Sequence, residues 1–182
     1  GSVHPYTVKT YADAILNGSG NYSAETKALV NAMSDFGDYA STYFADETIE
    51  ETAEMKAVTA ETLETFEGTL PANSIYYGSS LLLKSETVLR HYFTEKVRED
   101  AVKKGDLYYI EYTGIAAHEL GDDIETTVTT SKGDITITYS PLSYAYIALS
   151  QEGVSENLAS LMRAMYLYYD AAQAYLDATT NN

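Results

Sequence analysis

Apolar residues repeat along this chain with two different periods, and the first of them is helical. Between residues 23 and 44 they recur every three or four positions, which predicts one apolar stripe on a helix of about 20 residues. The stripe consists of Leu29, Met33, Phe36, Ala40 and Phe44. Ser23 is a suitable N-cap for this helix. A shorter helix is predicted at residues 6–16 and ends at the glycine-rich residues 17–20, so that the two helices form a hairpin.

Residues 45–67 connect this hairpin to the rest of the chain. Residues 45–58 are rich in acidic side chains and poor in large apolar ones, which is typical of a solvated connection. An acidic ligand surface is the alternative interpretation. Residues 59–67 are expected to add one or two helical turns before Gly68.

After Pro71 the apolar period falls to two residues, which is typical of strands. Five strands are predicted, at residues 75–83, 87–94, 107–112, 124–130 and 135–139. Turn residues at 103–106 and 131–134 precede the third and fifth strands. The last two strands direct four apolar side chains toward a core: Val128, Ile135, Ile137 and Tyr139. The short connections favour an antiparallel sheet or a small sandwich.

Helical spacing returns at the C-terminal end of the chain. Pro141 stands where a helix tolerates proline, at its first position, and Gly153 ends that helix. Ser155 caps a longer helix that runs to about residue 178. The apolar side of the longer helix consists of Leu158, Leu161, Met162, Met165, Tyr169, Ala172 and Leu176.

Helices at both ends with strands between them predict the α+β class, in which the sheet packs against N- and C-terminal amphipathic helices. We expect a single domain over residues 3–182. It comprises a helical hairpin with the acidic connection (3–67), a β region (68–140) and the C-terminal helices (141–178). Gly1 and Ser2 are interpreted as a cloning remnant, so the chain is expected to be a piece of a longer protein.

Composition excludes several classes of partner. The 182 residues carry 27 acidic and 11 basic side chains, which gives a net charge of −16. A nucleic-acid site needs clustered Lys and Arg, and an anionic bilayer would repel this surface. No apolar run reaches the ~18 residues of a membrane span, so neither nucleic-acid binding nor membrane insertion is expected. The chain has no cysteine, which excludes disulfides, thiol nucleophiles and cysteine-based zinc sites.

Candidate catalytic groups are few. His118 and Glu119 begin like the helix signature of zinc proteases, but Asp122 stands where that motif has its second histidine. His91 lies inside a predicted strand and is interpreted as a hydrogen-bonded structural residue. Residues 78–80 lack the second glycine of a nucleophile elbow. The sequence therefore predicts no enzyme activity.

Two sets of residues are candidate binding sites. Asp122, Asp123 and Glu125 cluster at one turn and offer the carboxylate oxygens that calcium prefers; solvated turn acids are the alternative, and no other cofactor is predicted. Tyrosine is unusually frequent, with 18 Tyr against 4 Phe and no Trp. Flat tyrosine rings stack on sugar rings and also serve protein interfaces. The candidate tyrosines, on or beside predicted strands, are Tyr76, Tyr77, Tyr108, Tyr109, Tyr144 and Tyr146.

Four segments of the chain have a distinctive sequence: YYGSSLLLKSETVLRHYF (76–93), VKKGDLYYIEYTGIAAHEL (102–120), ITYSPLSYAYIAL (137–149) and NLASLMRAMYLYYDAAQAY (157–175). They resemble an uncharacterised accessory module near the C-terminus of large secreted or surface proteins of gut Clostridia such as Ruminococcus. Residues 8–44 are similar to the opening of the same module. The resemblance names no activity and carries over no site residues. It implies neighbouring domains of glycan-degrading, leucine-rich-repeat or bacterial Ig-like type.

Together these observations predict a non-catalytic accessory module of a secreted or surface protein from a Gram-positive bacterium, where exported chains commonly lack cysteine. The expected partner is a neutral polysaccharide or another surface protein, because a net charge of −16 disfavours acidic sugars. Tyr77 and Tyr109 are expected to supply most of the stacking in a glycan site. A structural spacer or surface-assembly module without its own ligand is the alternative.

Overall fold

The structure is a computed structural model that describes residues 22–72, 74–83 and 86–180. The helices, in chain order, are α1 (Ala24–Phe44), α2 (Ala53–Lys56), α3 (Pro141–Ser150) and α4 (Glu156–Thr180), with 3-10 helices at Glu61–Phe66 and Ala117–Glu119. The strands are β1 (Tyr76–Leu83), β2 (Thr87–Phe93), β3 (Val102–Lys104), β4 (Leu107–Tyr112), β5 (Ile124–Thr130) and β6 (Gly133–Tyr139). The α+β class is confirmed. The helix predicted at residues 6–16 lies outside the described residues.

The chain forms two compact units. The first, here called the helical unit, contains the described residues before Thr59 and after Glu152. The second, here called the sheet unit, spans residues 59–152. The prediction of a single domain over residues 3–182 stays a prediction, and each unit is described by itself below.

In the helical unit, α1 packs along α4, as the two amphipathic patterns predicted. Ser23 caps α1, because its Oγ accepts a hydrogen bond from the Thr26 amide at 3.1 Å. The buried side chains of these two helices include Val30, Tyr39, Ala40, Leu161 and Met165. Phe44 was predicted to belong to the apolar stripe but is exposed; it is the last residue of α1, and its ring lies edge-on to that of Tyr43.

The acidic connection at residues 45–58 is more ordered than its composition predicts. Thr52 caps α2, and its Oγ1 accepts a hydrogen bond from the Met55 amide at 3.2 Å. Met55 and Val58 are both buried. Two apolar side chains three residues apart are therefore enough to fix a short helix in a segment that is otherwise acidic.

The described residues of the sheet unit form six strands in two antiparallel sheets, one more strand than predicted. The larger sheet has the order β1-β2-β4-β3, and β5 pairs with β6 as a hairpin. β3 was missed because its three residues are all exposed and two of them are lysines, which resembles a turn. The turn into β4 is shorter than expected and uses Gly105 at φ +61°, a left-handed backbone conformation that favours glycine.

The hairpin β5–β6 leads directly into α3. Val128, Ile137 and Tyr139 are buried as predicted, and Ile135 is half-buried. Ser140 caps α3 through a hydrogen bond that its Oγ accepts from the Ser143 amide at 3.1 Å. These contacts belong to the sheet unit and hold one end of β6.

Candidate functional site

Strand β2 separates the two faces of the four-stranded sheet. Leu89, His91 and Phe93 are fully buried on one face, here called the core-facing side. Arg90 and Tyr92 alternate with them and point to the opposite face. We call this opposite face the tyrosine face and define it by Tyr77, Arg90, Tyr92, Tyr109 and Glu111.

The register of the strands brings these residues together. Arg90 lies opposite Glu111, and Tyr92 lies opposite Tyr109, in the pairing of β2 with β4. Strand β1 has an irregularity between Tyr76 and Gly78, so that Gly78 lies opposite Tyr92 and Tyr77 is an additional residue. A bulge of this kind redirects a side chain at the edge of a sheet. Tyr77 is 70% exposed.

Tyr109 is less open than a stacking platform requires. The guanidinium of Arg90 lies 4.1 Å from the centroid of the Tyr109 ring. The centroid of the Tyr92 ring lies 5.7 Å from that of the Tyr109 ring, and the two rings are tilted relative to each other. One side of the Tyr109 ring is therefore occupied by Arg90, whereas Tyr77 is the more exposed of the two tyrosines.

Arg90 is held in place from two directions. Its Nε donates a hydrogen bond to Glu111 Oε2 at 2.5 Å, and its guanidinium stacks on Tyr109. Both charged side chains remain partly accessible, at 18% for Arg90 and 31% for Glu111. The pair is neutral as a whole and offers both hydrogen-bond donors and acceptors on the same face of the sheet.

The six candidate tyrosines do not form one site. Tyr77 and Tyr109 lie on the tyrosine face. Tyr76 and Tyr108 are half-buried on the core-facing side. The remaining two, Tyr144 and Tyr146, are half-buried residues of α3. The alternation of neighbouring strand tyrosines was predicted, but Tyr109 is half-buried where an exposed ring was expected.

The core-facing side contains a buried polar cluster of Tyr76, Ser79 and His91. The Tyr76 hydroxyl lies 2.6 Å from Ser79 Oγ, which in turn lies 2.7 Å from His91 Nδ1. Burial lowers the pKa of His91 from its ordinary 6.5 to about 4, so the imidazole is neutral at pH 7. The centroid of the His91 ring lies 6.2 Å from that of Tyr112 and 5.5 Å from that of Tyr139.

This cluster has the residue types of a nucleophile and a base, but not their accessibility. His91 is fully buried, and its Nε2 has no hydrogen-bond partner within the described part of the chain. Catalysis requires a substrate atom within hydrogen-bond reach of both groups. The geometry agrees with the interpretation of His91 as a hydrogen-bonded structural residue.

The candidate calcium site is not assembled. Asp122, Asp123 and Glu125 are all exposed. Within residues 22–72, 74–83 and 86–180, no three His, Asp or Glu side chains come together closely enough to hold a metal ion. Glu125 lies on β5, whereas the two aspartates precede this strand.

Sequence analysis missed Arg90, Tyr92 and Glu111. The signal was present in the alternation of two strands, which read Arg-x-Tyr in β2 and Tyr-x-Glu in β4. An antiparallel pairing can place arginine opposite glutamate and tyrosine opposite tyrosine. Only the observed register shows that it does so here.

No protein-family model, curated protein or solved structure matches this chain. Among the residues that the structure describes, no helix is long and apolar enough to cross a membrane. The resemblance to the accessory module of gut Clostridia stays a prediction. The geometry of the tyrosine face is the basis for a functional proposal.

Proposed function

We propose that this chain is a non-catalytic binding module of a secreted or surface-attached bacterial protein, and that its tyrosine face binds a neutral glycan. The observation that carries the proposal is the exposure of Tyr77, which is 70%, on a sheet that also carries the neutral Arg90–Glu111 pair.

The chemistry of the tyrosine face suits a neutral sugar. The apolar side of a sugar ring packs against an aromatic ring, and the sugar hydroxyls need donors and acceptors at the edge of that contact. Tyr77 offers the ring, while Arg90 and Glu111 offer the polar groups. A net charge of −16 opposes the approach of acidic polysaccharides. Weak affinity, in the micromolar to millimolar range, is expected.

A protein partner is the second candidate, because the same face also carries aliphatic side chains. Leu82 and Val102 are 39% and 47% exposed. Leu82 follows the alternation of β1, and Val102 lies opposite Tyr109 in the register of β3 with β4. Exposed aliphatic and tyrosine side chains on one sheet face are typical of the centre of a protein interface.

Affinity electrophoresis on a panel of neutral polysaccharides tests the glycan proposal. We expect at least one polymer to retard the full chain, and Tyr77→Ala to abolish this retardation. Tyr22→Ala is the matched control, because Tyr22 is an exposed tyrosine of the helical unit. The retardation should be the same with and without calcium.

Three outcomes contradict this proposal or move it. Retardation that survives Tyr77→Ala places the glycan site elsewhere on the chain. Retardation that requires calcium contradicts recognition by Tyr77 and the Arg90–Glu111 pair alone. If no polymer retards the chain, the glycan proposal is wrong. A surface protein that is captured by the wild type and not by Leu82→Asp would then favour the protein partner. Without such capture, the chain would be a structural spacer.

A further inference from the structure

The two edges of the four-stranded sheet differ in length and in charge. The strand order β1-β2-β4-β3 places β1 at one edge and β3 at the other. Strand β3 has three residues, all exposed, and two of them are lysines. Strand β1 has eight residues, and none of them is charged. Short length and lysine side chains are common ways in which proteins prevent an edge strand from pairing with another chain. The β3 edge therefore has this protection, whereas the β1 edge lacks it.

Most of the β1 edge is regular and open for pairing. The irregularity of β1 lies between Tyr76 and Gly78, and residues 78–83 pair with β2 without a break. Within the part of the chain that the structure describes, no backbone hydrogen bond joins residues 76–83 to a residue outside β2. Alternate residues along the outer side of an edge strand present N–H and C=O groups that can extend the sheet by another strand.

The side chains of β1 are complementary to those of a second, antiparallel β1. Alternation places Gly78, Ser80 and Leu82 on the side of the tyrosine face. Leu82 is 39% exposed, and a Cβ at Gly78 would have no atom of the described residues within 4 Å. Where Ser80 lies opposite Ser80 of a second copy, Leu82 of each copy lies opposite Gly78 of the other. The exposed side chain then meets the open position twice.

The distribution of charge favours the same edge. Each chain carries a net charge of −16, so that most of its surface repels another copy. The eight residues of β1 add nothing to this repulsion. Two copies therefore approach one another at this edge with less electrostatic cost than through acidic segments of their surfaces.

We propose that the chain forms a two-fold symmetric dimer in which β1 pairs antiparallel with β1 of a second copy. This pairing joins two four-stranded sheets into one sheet of eight strands. The symmetry axis is perpendicular to the sheet, so the tyrosine faces of both copies lie on the same side. A polysaccharide could then contact both copies, a consequence that rests on the proposed glycan function. The dimer itself does not rest on that function.

Sedimentation equilibrium of the full chain without glycan tests the dimer. We expect the mass to rise from one chain to two with concentration, and at lower concentration in about 0.5 M than in about 0.05 M NaCl, because salt screens the repulsion between the copies. Leu82→Lys should weaken dimerisation more than about tenfold, since the charged side chain occurs twice in the contact. Val102→Lys is the matched control. It adds the same charge at an exposed residue of the β3 edge and should not weaken dimerisation.

Single cysteines test the register, because the chain has no cysteine of its own. Ser80→Cys should form a disulfide-linked dimer on mild oxidation, since directly opposite residues have Cα atoms about 4.5–5.5 Å apart. The Ser80 hydroxyl has no hydrogen-bond partner among the described residues, so this variant removes no such bond. Leu82→Cys should not form the disulfide, because in this register its two Cα atoms are more than about 10 Å apart.

Four outcomes overturn the proposal or one part of it. A chain that stays monomeric up to about 1 mM overturns the dimer. Equal weakening by Leu82→Lys and Val102→Lys overturns the choice of the β1 edge, and equal cross-linking of Ser80→Cys and Leu82→Cys overturns the register. A monomeric chain that captures another protein, and loses this capture in Leu82→Lys, would assign the edge to a strand of a different protein. Circular dichroism confirms that each variant is folded.

Discussion

The two faces of the four-stranded sheet carry similar residue types, but those on one face are buried and those on the other are accessible to solvent. On the core-facing side, His91 is buried with Tyr76 and Ser79. One position earlier in the same strand, Arg90 stacks on Tyr109 and remains partly accessible. Both faces combine a basic side chain with tyrosine, but His91 is fully buried whereas the Arg90 side chain is partly accessible to solvent.

Burial accounts for the difference. A buried imidazole loses its charge, because the low dielectric of the interior disfavours the protonated form and lowers the pKa of His91 to about 4. Arginine keeps its charge under almost any condition, and here Glu111 balances it at the surface. Tyrosine and a nearby base therefore indicate a binding site only where the strand faces solvent. The following variants test this comparison.

Replacing Phe93 with alanine should give the largest effect. Phe93 is fully buried, and its ring meets the edge of the Tyr76 ring at 5.9 Å. The loss of burial together with the cavity left behind should cost about 3–5 kcal/mol of unfolding free energy. Tyr92→Ala changes the neighbouring residue on the tyrosine face and should cost about 1 kcal/mol. Urea unfolding followed by circular dichroism measures both, and equal losses would contradict the assignment of the two faces.

The sequence predicted the faces of single strands better than the contacts between strands. Alternation assigned Val128, Ile137 and Tyr139 to the core correctly, since a period of two requires no knowledge of neighbours. This alternation within a strand did not predict the stacking of Arg90 on Tyr109, because that contact depends on the register of β2 against β4.

The irregularity in β1 shows the same limit. It adds Tyr77 as an extra residue opposite Tyr92, and a pattern within one strand does not show where a partner strand shifts. The short strand β3 was missed for a related reason. Val102 to Lys104 are all exposed, so that only their pairing with β4 makes them a strand.

Stability should fall in acid because of His91. Between pH 6.5 and pH 4 the unfolded chain binds a proton at this imidazole, whereas the folded chain, with a pKa of about 4, does not. Stability from this group is therefore complete above pH 6.5 and is lost as the pH falls, by about 3 kcal/mol at pH 4. Unfolding free energies measured across this range should show the loss.

The variant His91→Gln isolates this contribution from the titration of the many carboxylates. Between pH 6.5 and pH 4, the unfolding free energy of this variant should fall by about 3 kcal/mol less than that of the wild type. Tyr76 and Tyr139, which surround the imidazole, do not titrate in this window. Parallel pH profiles for the two proteins would show that His91 is accessible to solvent.

A double-mutant cycle of Arg90→Met and Tyr109→Leu should give a smaller effect. The guanidinium lies over a partly exposed ring at 4.1 Å, and such contacts contribute about 0.5–1 kcal/mol. The unfolding free energies of the wild type, the single variants and the double variant give this coupling. Arg98→Met with Tyr109→Leu is the control cycle, because Arg98 pairs with Asp100. A similar coupling in both cycles would show that stacking on Tyr109 is not specific to Arg90.

Tyr77→Ala should have the smallest effect on stability, even though it should abolish glycan binding. A residue that is 70% exposed buries little apolar area, so removal of its ring should change the unfolding free energy by less than about 0.5 kcal/mol. Tyr76→Ala, at the preceding residue, should cost about 3 kcal/mol, because that ring packs on Phe93 and its hydroxyl is bonded to Ser79. Urea unfolding of the two variants is the measurement. A Tyr77→Ala loss close to that of Tyr76→Ala would mean that the ring is packed against the protein, and a packed ring cannot stack on a sugar. Unchanged stability with lost retardation would instead assign the effect of this variant to binding alone.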